Sequence, residues 1–132
     1  MLYVESSALF KRYRTERDSE TVRTLMTAEE VLVTSRLTEI EVRRNLRRLY
    51  EGEELARVQN QLQLDLDEFA MMNLDADVCA DAAWIAEETL CRSLDAIHLA
   101  AARQASPHAT VLTFDRRQAQ AARAIGMAVL GV

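Results

Sequence analysis

Short, wholly apolar runs alternate along this chain with longer stretches whose apolar residues recur at helical spacing. Leu2-Tyr3-Val4 is the first run. It leads into Glu5-Ser6-Ser7 and then into Ala8-Leu9 through Tyr13, which predicts a buried strand, a sharp break and a helix. Asp18 to Met26 predicts a helix capped by Asp or Ser. Val31-Leu-Val-Thr34 is the second strand, and Ser35 can cap a helix from Arg36 to about Tyr50. Glu51-Gly52-Glu53 breaks that helix and another runs to about Phe69. Ala70 to Leu74 is a weaker strand signal. Asp75 or Asp77 then opens a helix containing Ala82, Ala83, Ile85 and Ala86. The helix from Leu94 to Gln104 is apolar nearly all round, so it should be buried. Thr110 to Phe114 is the clearest strand. Asp115 caps a helix from Arg116 to Ile125, Gly126 stops it, and Met127 to Leu130 is the last strand.

This alternation predicts an α/β fold: a central parallel sheet of about four to five short strands, with helices on both faces. The 132 residues, with no repeat or linker, fit a single domain over 1–132. The helix pair over 36–69 is the longest excursion from the sheet and offers a clip or dimer surface.

Composition narrows the function classes. No apolar run approaches the ~18 residues of a membrane span, and the N-terminus has no basic region followed by a long apolar segment. The expected location is the cytoplasm, with no membrane partner. Cys79 and Cys91 show no zinc spacing and read as buried free thiols. His98 and His108 are too few and too scattered for a histidine-based metal site. The net charge of −5 argues against a protein held on nucleic acid by bulk charge, though not against an enzyme acting on RNA.

In an open α/β sheet, strand C-termini and helix N-termini share one edge, where ligands bind. Glu5 and Asp115 fall there, after the first and fourth strands. Asp95 lies in the first turn of the buried helix, and Glu39 and Glu41 lie early in the helix after the second strand. Each acid also has a plainer reading. Glu5 can favour a helix N-terminus, Asp115 can be an N-cap, Asp95 can bond His98 one turn on, and Glu39 can pair with Arg43. Glu41 points roughly 200° away from Glu39, at ~100° per residue, and periodicity does not choose between them. Converging carboxylates repel unless a cation joins them. Mg²⁺ suits such oxygen donors and metal-assisted phosphodiester hydrolysis.

The residues also resemble a family. Leu2-Tyr-Val-Glu-Ser-Ser-Ala-Leu9 is similar to the PIN-domain opening. Glu41-Val-Arg-Arg44 resembles the family's second acid, Arg92-Ser-Leu-Asp-Ala-Ile-His-Leu-Ala100 its third, and Leu112-Thr-Phe-Asp-Arg-Arg117 its closing motif. The third motif looks most like VapC-type toxins of type II toxin–antitoxin modules. The resemblance implies a Mg²⁺- or Mn²⁺-dependent endoribonuclease, usually a homodimer, acting on structured RNA such as tRNA or rRNA and blocked by a VapB-type antitoxin. It implies that Glu41, Asp95 and Asp115 are site acids, with Ser6 and Thr113 in support, and it prefers Glu41 to Glu39. The metal itself is expected between Glu5, Asp95 and Asp115.

One position departs from the pattern, because the family has Asp where this chain has Glu5. Glu reaches about 1.5 Å further when extended, Mg²⁺ tolerates misplaced ligands poorly, and a ~1 Å error can cost about 10²-fold in rate. Three readings follow: Glu5 binds the metal through another rotamer, it binds through a water, or the chain is a weakened or inactive module that mainly binds antitoxin or RNA.

Overall fold

A computed structural model describes residues 1–132. Five strands form one parallel sheet: β1 (Leu2–Val4), β2 (Leu32–Ser35), β3 (Ala70–Met72), β4 (Thr110–Thr113) and β5 (Ala128–Gly131). Seven helices connect them: α1 (Ser6–Phe10), α2 (Ser19–Ala28), α3 (Arg36–Leu49), α4 (Gly52–Asp67), α5 (Ala76–Thr89), α6 (Ser93–Ala105) and α7 (Arg116–Ala124). Every strand predicted from the apolar pattern is present, with no end shifted by more than two residues.

The strand order is β3-β2-β1-β4-β5. From β1 the chain steps outward to β2 and β3, then crosses back to β4 on the other side of β1 and continues to β5. Right-handed crossovers put helices of the two directions on opposite faces. The core divides accordingly. Leu2, Val4 and Leu112 pack with Leu9, Val22, Val42, Leu46, Val58 and Leu62 from α1 to α4. Tyr3, Val33 and Val111 pack with Val78, Ile85, Leu99 and Ala122 from α5 to α7. Alternate residues of β1 thus face opposite cores, as the two-residue strand period requires. The α3–α4 pair is therefore no detached excursion, since Leu46, Val58 and Leu62 belong to the same core as β1.

β1 lies between β2 and β4, pairing Leu2 with Leu32 and Val4 with Leu112. The order reverses between β1 and β4, so their carboxyl ends form the topological switch point where open α/β sheets bind ligands. The Glu5 amide donates to Leu112 O at 3.1 Å, which ties the two strand ends together.

Three local expectations are corrected. The first helix ends at Phe10 rather than Tyr13, because Lys11, Arg12 and Tyr13 close tight turns onto Ala8, Leu9 and Phe10. Asp18 sits at an N-cap position in the left-handed region (φ 68°) and makes no side-chain cap. Cys79 is exposed and Cys91 half-buried rather than core thiols, because the buried stripe of α5 is Val78, Ala82 and Ile85.

Candidate active site

All four predicted acids line one pocket at the switch point, a cavity of about 250 Å³ bounded by Glu5, Glu41, Arg92, Asp95, His98 and Asp115, among others. Glu39 is elsewhere, pairing with Arg36 at 3.2 Å and Arg43 at 3.8 Å. Packing separates the two glutamates, and only Glu41 lines this pocket. Val42 and Leu46 bury one stripe of α3 against β1, and Glu41 flanks that stripe on the side facing α6.

Glu5, Glu41 and Asp95 are each held through one oxygen, and Asp115 through both. Glu5 is buried at the N-cap of α1, where its Oε2 accepts from the Ser7 amide (2.9 Å), the Ser7 hydroxyl (2.5 Å) and the Thr113 hydroxyl (3.0 Å). Asp115 is the N-cap of α7, and its Oδ1 accepts from the amides of Arg117 (2.8 Å) and Gln118 (3.2 Å). Glu41 Oε1 accepts from the Ser6 hydroxyl at 2.8 Å and lies 2.5 Å from His98 Nε2. Glu5 Oε1, Glu41 Oε2 and Asp95 Oδ1 have no hydrogen-bonding partner within the chain. Asp115 Oδ2 and Asp95 Oδ2 are held by a single guanidinium, that of Arg92, at 2.7 Å and 2.9 Å. The capping and site readings of Glu5 and Asp115 are therefore compatible. The helix N-terminus takes one oxygen, and the other is not used by the helix.

Two scattered histidines do not suggest a histidine-based metal site, and the bond expected between Asp95 and His98 does not form. The imidazole is fully buried and faces away along α6. Its Nδ1 lies 2.9 Å from the Tyr3 hydroxyl, which donates to Ser35 Oγ at 2.9 Å, and its Nε2 contacts Glu41. A buried imidazole requires partners, and α6 places this one against α3 and β1. Ligand atoms of Glu5, Glu41 and His98 all lie within 4.8 Å of one another, with Glu5 Oε1 3.8 Å from His98 Nε2. The acids thus form two groups: an inner one around His98, and an outer pair, Asp95 and Asp115, spanned by Arg92. Sequence reasoning singled out neither His98 nor Arg92 as a site residue, though both lie inside the motif Arg92 to Ala100.

The electrostatics follow this geometry. Burial pushes the Glu41 carboxyl up, but the His98 hydrogen bond and charge, with the Ser6 hydroxyl, outweigh it and hold Glu41 below the usual range. Glu41 therefore stays ionised. Burial drives the Tyr3 hydroxyl far above its ordinary value, so it remains a neutral link between His98 and Ser35. Four carboxylates, three of them with an oxygen that makes no hydrogen bond, form a hard-donor set, which fits a divalent cation of the Mg²⁺ or Mn²⁺ type.

The fold and the motifs have known counterparts. The PIN-domain family model matches residues 2–124. Ribonuclease VapC35 of Mycobacterium tuberculosis is 38% identical over 135 residues, covering 98% of this chain and 96% of that protein. The crystal structure of FitAcB from Neisseria gonorrhoeae matches with a TM-score of 0.82 at 23% identity, over 99% of this chain and 97% of that one. A toxin–antitoxin complex from Klebsiella pneumoniae gives a TM-score of 0.76 at 15% identity, over 99% and 97%. The chain belongs to the PIN-domain family, among its VapC-type ribonucleases.

Proposed function

We propose that the chain is a Mg²⁺- or Mn²⁺-dependent endoribonuclease, the toxin of a VapBC-type module, acting in the cytoplasm as a homodimer and restrained by a VapB-type antitoxin. The observation that carries this reading is the pocket at the β1–β4 switch point, where Glu5, Glu41 and Asp95 each have one oxygen anchored and the other without a hydrogen bond, and Asp115 gives its second oxygen only to Arg92. Sequence likeness to a ribonuclease along almost the whole chain supports it, and likeness in fold to a protein of a toxin–antitoxin complex supports the partner.

Glu5, Asp95 and Asp115 would hold the ion, with Glu41 as a further acid. When bound, the ion supplies Lewis-acid stabilisation of the developing oxyanion and a more acidic water. The chain's own residues do the rest. Ser7 and Thr113 fix the Glu5 carboxylate by three hydrogen bonds, so its longer side chain folds back onto the α1 N-terminus. That fold-back offsets the extra methylene and favours an active site over a silent module. His98 and Ser6 keep Glu41 ionised and oriented. Water attacks an RNA phosphorus, the bond to the 3′ oxygen breaks, and the products carry 5′-phosphate and 3′-hydroxyl ends.

The test is cleavage of total RNA with Mg²⁺ or Mn²⁺ by the wild type, Asp95→Asn and Asp115→Asn. Cleavage by the wild type alone is expected. Equal activity in all three would overturn the assignment.

A further inference from the structure

Arg92 bridges the two outer acids of the pocket. It occupies the N-cap position of α6 without capping it. Its Nε donates to Asp95 Oδ2 at 2.9 Å and its Nη2 to Asp115 Oδ2 at 2.7 Å, so one guanidinium joins the N-termini of α6 and α7 across the pocket. The side chain is 60% exposed, while that of Asp95 is 9% exposed.

The oxygen accounting gives this bridge a consequence. Asp115 Oδ1 is committed to the Arg117 and Gln118 amides. Its Oδ2 is then the only atom it can offer to an ion in the pocket, and Arg92 holds that atom. The bridge also relieves a conflict, since two carboxylates at one pocket repel when nothing cationic lies between them. The bond is easily released. Partly exposed ion pairs contribute little, and the freed guanidinium returns to water along an already exposed stem.

Resting on the reading of this pocket as a divalent-cation site, we propose that Arg92 is a resident counter-cation that competes with the metal for Oδ2 of Asp95 and Asp115. Without metal, Arg92 holds the two acids together and closes the outer half of the pocket. Metal binding displaces it, so the chain sets a threshold for metal through a residue that is not a ligand.

Mn²⁺ titration calorimetry on the full chain separates the possibilities. Arg92→Gln should bind Mn²⁺ about three- to ten-fold tighter than the wild type, the scale of two partly exposed ion pairs, while Asp95→Asn loses binding. In parallel, the Arg92 Nε–H resonance, assigned by its loss in Arg92→Lys, should move on Mg²⁺ addition to the wild type, independently of any variant's affinity. Unchanged or weaker Mn²⁺ binding in Arg92→Gln, with Asp95→Asn still losing it, overturns the role of Arg92 and leaves the metal site standing. A static Arg92 resonance in metal-saturated wild type does the same. No Mn²⁺ binding by the wild type overturns both.

Discussion

Two arginine–carboxylate clusters in this molecule differ in how their oxygens are used. Asp65 on α4 is saturated. Its Oδ2 accepts from Arg12 Nε (2.6 Å) and the Tyr13 hydroxyl (2.7 Å), and its Oδ1 from Arg12 Nη2 (2.9 Å) and Gln61 (2.9 Å). Burial pushes this carboxyl up, but those hydrogen bonds outweigh it and hold it below the usual range. The knot fastens the turn after α1 to α4 and leaves no oxygen for anything else. In the pocket, Glu5, Glu41 and Asp95 each leave an oxygen without a hydrogen bond, and Asp115 gives its second one only to an exposed arginine. The Asp65 carboxylate is satisfied by its own fold, whereas Glu5, Glu41 and Asp95 are each anchored through half of themselves.

The comparison breaks most visibly if the two clusters respond alike to mutation. Asp115→Asn should lower RNA cleavage by at least about 10²-fold, with a stability change under ~1 kcal/mol. A melting temperature far below wild type would instead make Asp115 chiefly structural. Asp65→Asn should do the reverse, costing about 1–3 kcal/mol and leaving cleavage of the folded protein unchanged. Chemical denaturation beside an RNA cleavage assay reads both.

Acid sharpens the second half. The folded Asp65 carboxyl lies below its unfolded value, so its stabilisation is fully present above ~3.9 and disappears as the pH falls through the lower folded value. The gap in melting temperature between wild type and Asp65→Asn should be constant from pH 5 upward and close below about pH 3.9. A gap that persists at lower pH would mean the contribution is packing, not charge.

The smallest effect is expected at the position where this chain departs from its family. Glu5 Oε2 is tied down by Ser7 and Thr113 and its Oε1 remains without a hydrogen bond, so Glu5→Asp should change cleavage by less than about ten-fold. A gain of 10²-fold or more would show that the glutamate disables the site.

The same oxygens explain what could be read from the sequence. The strand and helix order was legible because buried parallel strands are short apolar runs and their helices carry 3.6-residue stripes. Glu5 and Asp115 were legible as edge residues because strand ends and helix caps are local features. His98 was not. One turn after Asp95, it invites a local pairing, yet its partners are Tyr3 and Glu41, which are 95 and 57 residues away in the chain. Arg92 was hidden in the same way, since one of its two carboxylates lies 23 residues on. The exposed Cys79 misled because residue type, not position on the α5 stripe, suggested burial.

The central claim is that the carboxylates lining the pocket bind a divalent cation. Its most direct measurement is the Mn²⁺-induced rise in melting temperature, compared between Asp115→Asn and Asp65→Asn. The rise should match wild type in Asp65→Asn, although that variant starts lower, and should vanish in Asp115→Asn. An undiminished rise in Asp115→Asn would contradict the account.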